Sequence, residues 1–358
     1  MRVEAIVAVE VPIPNNPLRY TLSYLIPGDH GLVVVDPGWD SDIGWNALVT
    51  GLASAGATPA DVTGVVLTHV HPDHHGLTGR LRDASGAWIA MHPAERASML
   101  RDRETAPSHA LADWMRTFRV PDSEIKTLLG TFGAAVDEHF APLADATVLL
   151  EDGDFVPLQG RRLKAIWTPG HTPGHLCLLE PDAQVLLTGD HVLPRISPNI
   201  GLQLTGGDPL TDYLASLSKI SRYDDCEALP GHEYRFRGIA ARCAELDHHH
   251  RERCDEIVEV TERLGNPDIW QLASSLTWSR PWDRIGPMKV GAVAETAAHV
   301  ELLVREGRLT WNDSGATLSA GSAVPGPPAA GSLAAGSLAA GSAAAGSSAA
   351  GSFVGGGH

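Results

Sequence analysis

The 358-residue sequence predicts a sheet-rich α/β domain with helices covering both faces, then a small helical module and a low-complexity tail. Three observations predict it. Short β-branched or leucine-rich runs recur over residues 1–240 and alternate with turn signals and helical stretches. Several of these runs end directly in metal-binding side chains. The character of the chain then shifts twice, near residue 247 and near residue 314.

Met1 to Glu10 alternates apolar residues with Glu4 and Glu10 and has no basic segment leading into an apolar one. It reads as a strand and not as a signal peptide. Residues 20–26 and 31–35 read as strands joined by the turn Pro27-Gly28-Asp29-His30, the second running into Asp36-Pro37-Gly38. A helix is expected over 42–54 and a strand over 64–67, which delivers a histidine-rich loop. Residues 93–143 break the alternation, because Trp114, Phe118, Leu128, Leu129, Phe132 and Phe140 sit among polar residues at helical spacing. They predict a helical insertion, either a packed cap or an apolar wall over the site. Strands are expected again at 148–150, 163–167, 176–179 and 185–187.

From 247 to 313 the pattern is helical. Cys254, Ile257, Val258 and Thr261 fall at i, i+3, i+4 and i+7. Gly265-Asn266-Pro267 stops that helix and Asp268 can cap the next. Val293, Ala297, Val300 and Val304 mark a third helix ending at Gly307, and 308–311 reads as a strand. Three helices and a strand suggest a winged-helix-like module. It carries 8 basic and 12 acidic residues, so a scaffold or dimerisation role fits better than binding in a nucleic-acid groove. Beyond residue 314 the chain is low-complexity, and the unit Ala-Ala-Gly-Ser-X recurs from Ala329 to Phe353 without charge, as a flexible tail would.

Acidic residues outnumber basic ones by 43 to 27, a net charge of −16, which repels phosphate backbones and anionic membranes. The four cysteines are widely spaced, with no C-x-x-C pair, and are expected to be free thiols in a reducing compartment. No run approaches the roughly 18 apolar residues of a membrane span, so a cytoplasmic location is expected.

Residues 68–76 read T-H-V-H-P-D-H-H-G, and His171, Asp190 and His232 follow in G-H-T-P-G-H, T-G-D-H and P-G-H-E. In an extended segment alternate residues point the same way, so His69 and His71 can reach one ion. Pro72 redirects the chain, and Asp73 and His74 open a helix that faces a second position. Six imidazole or carboxylate groups crowd one tetrahedral ion, so two sites are needed. Site one is His69, His71 and His171. Site two is Asp73, His74 and His232, with Asp190 shared. Nitrogen- and oxygen-rich ligation without sulfur suits two zinc ions, with iron or manganese as alternatives. A water between the ions would be the nucleophile, with Asp73 and Asp190 the catalytic carboxylates. His75, His175 and His191 are expected to pack or support, and the run His248-His249-His250 not to ligate. Asp36 either orients the histidine loop by hydrogen bonds or simply forms a turn.

Together, His69-x-His71-x-Asp73-His74, the G-H-T-P-G-H around His171, Asp190 in T-G-D and the late His232 resemble the metallo-β-lactamase superfamily over about residues 3–240. The resemblance implies an αββα sandwich of two packed mixed sheets flanked by helices, with both ions at one edge. It supports the same ligand assignments. The zinc β-lactamases most familiar as resistance enzymes carry cysteine where Asp190 stands, so antibiotic hydrolysis is not the implied activity. The chain is similar instead to the glyoxalase II-like branch, which hydrolyses thioesters of small acids. The segment after His248 is similar to one carried by lactamase-like endoribonucleases and some polyketide thioesterases. The expectation is a dinuclear hydrolase of a small-molecule thioester or activated acyl ester, with a homo-oligomer allowed. A lactonase, a single-strand endoribonuclease and a non-hydrolytic iron protein acting on oxygen are the rivals.

Overall fold

Strand alternation sets the layers of this molecule. The computed structural model describes residues 5–14, 16–102, 107–139, 144–201, 207–312 and 318–320. Among them, β1 (Val7–Pro12), β2 (Tyr20–Gly28), β3 (Gly31–Val35), β4 (Val62–Val66), β5 (Trp88–Met91) and β6 (Val148–Leu149) form one six-stranded sheet in that order. β1 to β3 pair antiparallel, and β3 to β6 pair parallel. β7 (Lys164–Trp167), β8 (Leu176–Glu180), β9 (Val185–Gly189) and β10 (Glu227–Pro230) form a four-stranded sheet in the order β10-β9-β8-β7. Only its β9–β10 pair is parallel. Both sheets are therefore mixed.

Successive residues of a strand face opposite sides, and each sheet is buried on both. Val33 and Val35 share a core with Leu176, Leu178, Val185 and Leu187 between the sheets. Their neighbours Leu32 and Val34 face outward onto Leu48 and Leu52 of α1 (Asp42–Ser54), in a core that also holds Leu77 and Leu81. A four-residue turn of helix, α2 (Pro72–His75), precedes α3 (Thr78–Ser85), on which Leu81 lies. Ser41 starts α1 by accepting from Gly44 N at 2.9 Å.

The insertion is helical, as its spacing predicts: α4 (Pro93–Asp102), α5 (Pro107–Thr117) and α6 (Asp122–His139). On the outer face of the second sheet, Cys177 and Leu186 meet Leu210, Tyr213 and Leu217 of α7 (Pro209–Ile220). Ile239, Cys243 and Leu246 of α8 (Ile239–Leu264) join them. The order is helix, sheet, sheet, helix, the αββα sandwich. The rest is α9 (Ile269–Ser275), α10 (Lys289–Arg305) and a hairpin of β11 (Leu309–Trp311) and β12 (Leu318–Ala320). Gly265 closes α8, and Asp268 caps α9 in a reciprocal capping box with Gln271.

One open alternative is decided, for the packed cap, and two expectations need adjustment. The aromatic wall over the site does not form from Trp114 and Phe118. They pack with Leu111, Met115, Ile125 and Leu128 into a core shared with Ile257, Leu272, Val300 and Leu303, because α5 and α6 bury their apolar stripes against the C-terminal helices. Phe140 and the side chain of Phe132 lie outside the described residues. No linker marks the expected 246/247 division, since α8 runs through it. Described structure also continues beyond residue 314: Leu318 is fully buried and its N–H donates to Pro267 O at 2.9 Å. One leucine in a Gly-Ala-Ser-rich stretch gives no compositional signal of a paired strand. Residues 313–317 and 321–358, which hold the Ala-Ala-Gly-Ser-X repeat, lie outside the described residues. No helix among the described residues is long and apolar enough to cross a membrane, and all four cysteines are free and buried.

Candidate metal centre

Five strands present their carboxyl ends at one edge, where the expected ligands converge. β3 ends at Asp36, β4 runs out into the loop carrying His69 and His71, and α2 carries Asp73 and His74. β7 leads to His171, β9 to Asp190 and β10 to His232. His71 is the N-cap of α2 with Pro72 in its first turn, so the chain bends there as expected.

His69 Nε2 and His171 Nε2 each lie 3.0 Å from His71 Nδ1. A tetrahedral ion with bonds of 2.0–2.1 Å spaces its nitrogens by about 3.3 Å, so this triplet has the right size. The second group is Asp73, His74 and His232, with His232 Nε2 at 3.3 Å from Asp73 Oδ2 and 3.4 Å from His74 Nε2. Asp190 stands between the groups. Its Oδ2 is 3.3 Å from His232 Nε2 and 3.8 Å from His171 Nε2, while Oδ1 is 3.4 Å from His74 Nε2. All seven expected residues thus meet at one place.

What holds the rings in these orientations was less legible in the sequence. The Nδ1–H groups of His74, His171 and His232 donate to Asp36 Oδ2, Asn199 O and Tyr20 O, each at 2.9 Å. Thr68 Oγ1 donates to Asp36 Oδ2 at 2.6 Å and accepts from His69 Nδ1 at 3.0 Å. Four Nε2 atoms are left facing inward, the orientation that metal-binding imidazoles need. Asp36 also accepts from Thr68 N at 2.8 Å. Although it groups with His69 and His74 as possible ligands, its oxygens are spent on these hydrogen bonds, so it orients the loop.

His175 supports from the other side, donating to Thr168 Oγ1 at 2.8 Å and accepting from Asp190 N at 3.2 Å. Glu95, fully buried on α4, accepts from Thr172 Oγ1 and Gly174 N, bracing the His171 loop. Gly231 is required by close approach, since a Cβ there would lie 2.5 Å from Asp190 Oδ1 and 2.6 Å from His74 Cε1. His191 and His250 are fully buried outside the two groups, His250 against His299 of α10. Sequence reasoning did not find Tyr20, Thr68, Glu95 or Asn199. Tyr20 and Asn199 act through backbone carbonyls, which leave no residue-type signal.

Burial pushes the His69 and His171 imidazoles below their ordinary range and, with the adjacent His171 ring, holds His71 at about 3. This group therefore offers neutral nitrogen lone pairs. Burial also disfavours charge on His74 and His232, but nearby carboxylates overcome it. Asp190, Asp73 and Asp36 raise His74 well above its ordinary value, and Asp190 with Asp73 raises His232 to about 10. Burial alone would raise both carboxyls. His74 and His232 instead hold Asp73 at about 2 and Asp190 well below the usual carboxylate range. The seven-residue set is open at His71, Asp73 and Asp190, the two carboxylate side chains being 16% and 10% exposed.

Comparison with known proteins bears on this arrangement directly. The family profile described as the metallo-beta-lactamase superfamily matches residues 16–232, a span that takes in all seven residues. The chain belongs to the metallo-beta-lactamase superfamily. It is similar to the probable metallo-hydrolase YqjP of Bacillus subtilis, with 25% identity over 87% of this chain and 95% of that one. The acyl-coenzyme A thioesterase MBLAC2 of Gallus gallus is 27% identical over 60% of this chain and 72% of its own. A metallo-beta-lactamase family protein of Thermus thermophilus has a solved structure that superposes with a TM-score of 0.70. It is 28% identical and covers 88% of this chain and 98% of its own. This superfamily member is thus a metal-dependent hydrolase, with His and Asp clusters suited to metal binding.

Proposed function

We propose that the protein is a dinuclear hydrolase of thioesters or similarly activated acyl esters, with zinc the first-choice metal. One observation carries the two-ion reading: the Asp190 carboxylate faces His171 of one group and His74 and His232 of the other. His69, His71 and His171 would hold one cation, and Asp73, His74 and His232 the other. Bound there, the cations supply an activated nucleophile near neutral pH and a positive field over the scissile carbonyl oxygen.

The remaining work belongs to the chain. Asp36, Thr68, Asn199 and Tyr20 keep four imidazoles turned inward. Asp73 and Asp190, held ionised by His74 and His232, bring two negative charges that offset the cations at the open side. A net charge of −16 disfavours a polyanionic substrate. The similarity to a protein named as an acyl-coenzyme A thioesterase favours a thioester over a lactone. The test is a panel of thioester, lactone, phosphodiester and β-lactam substrates. Thioester cleavage, read as thiol release and abolished by chelation, is expected to have the highest kcat/KM; faster lactone or phosphodiester cleavage overturns the substrate assignment.

A further inference from the structure

His171 is braced by a loop that is itself fastened to the C-terminal helices. Asn199, whose carbonyl accepts from His171 Nδ1, donates its Nδ2–H to Gly291 O at 3.0 Å, in the first turn of α10. Two residues on, Gly201 has a φ of +100°, and a Cβ there would stand 2.5 Å from Ala294 O and 3.0 Å from Ala298 Cβ. A Cβ on Gly291 would in turn lie 3.0 Å from Asn199 Nδ2. The Asn199 side chain and the Gly201 backbone therefore pack directly on the first half of α10, with no room for a side chain at Gly201. Through Val293, Val300 and Leu303, α10 is buried in the core it shares with α5, α6 and α8.

We propose that Asn199 is a positioning residue through which α10 sets the His171 imidazole, so that the C-terminal helices complete the first metal site. A fixed acceptor on Nδ1 holds both the tautomer and the ring angle of a ligating histidine. For His171 that acceptor is a loop carbonyl, and the Asn199 side chain ties it to a helix outside both sheets. The anchors of His74 and His69 (Asp36 and Thr68) and of His232 (Tyr20) lie on or beside strands of the first sheet. Among the anchored histidines, His171 alone depends on α10.

The inference rests on the two-ion reading, and the experiment separates the two. Zinc is titrated into chelator-stripped full-length protein against a competing indicator. Wild type is expected to bind two ions. Asn199→Ala and Gly201→Ala are each expected to weaken one ion by about 10- to 100-fold while the other holds its affinity. With His171→Ala already in place, adding Asn199→Ala is expected to change zinc affinity no further, because the two act on one ring. Wild-type affinity for both ions in both variants would overturn the inference. So would equal weakening of both ions, or an additive loss on top of His171→Ala, which a general loosening produces. A wild type holding fewer than two ions overturns the two-ion reading itself, before any variant is made.

Discussion

Asp36 illustrates how one residue can govern a site it does not enter. Its two oxygens receive Thr68 N, Thr68 Oγ1 and His74 Nδ1, fixing His74 directly and His69 through the threonine hydroxyl. Asp36→Ala is therefore expected to lower zinc affinity by about 10- to 100-fold, measured by competition titration, with the melting temperature changed far less. Unchanged affinity would reduce Asp36 to a turn-former. Gly231→Ala is expected to remove metal for a steric reason, because the new Cβ would fall 2.5 Å from Asp190 Oδ1. Metal content after dialysis checks it. At this scale the sequence was informative, since the ligand types carry their chemistry in their names and their spacing. It was silent on Asn199 and Tyr20, which meet His171 and His232 through main-chain oxygens.

At the scale of elements, the pairing of α8 with α10 has a pH signature. His299 Nδ1 donates to Glu295 O at 2.7 Å, so its Nε2 accepts from His250 Nδ1 at 3.1 Å. Both rings are buried and neutral: burial and the neighbouring His299 ring push His250 down to about 2, and burial pushes His299 to about 4, from 6.5. Above pH 6.5 neither folded nor unfolded chain protonates them, and they add no pH dependence. Below it the unfolded chain gains protons that the folded chain refuses, so stability falls with pH by about 1.4 kcal/mol per unit for each ring. For His299 that loss stops near pH 4. Melting curves from pH 8 to 4 should show a shallower acid dependence in His250→Phe/His299→Leu than in wild type; equal slopes would contradict this. At the start of α9, Asp268→Ala is expected to cost about 1 kcal/mol in denaturant unfolding, because it removes the cap on Gln271 N. Elements with strong local signals were legible, such as α1 between Ser41 and Ala55 and the break at Gly265. β5, β10, α3 and α7 were not. Short strands and helices of this kind are fixed by the sheet neighbours they pack on, which a linear pattern does not display.

For the whole molecule, the order of layers follows from strands that are apolar on both faces, and the site follows from five strands ending at one edge. The sequence showed most of the strands but not that α5 and α6 share a core with α8, α9 and α10, because that contact joins segments more than a hundred residues apart. A net charge of −16 leads to a further expectation: single-stranded RNA should not be retained in a salt-sensitive manner on immobilised protein. The proposed function depends on Asp190 serving two metal positions at once. The most direct test is the metal-to-protein ratio of purified wild type and Asp190→Ala, compared at equal folded content. Two ions per chain in wild type, falling to one or none in the variant, is the expected result; the same ratio in both proteins would contradict the account.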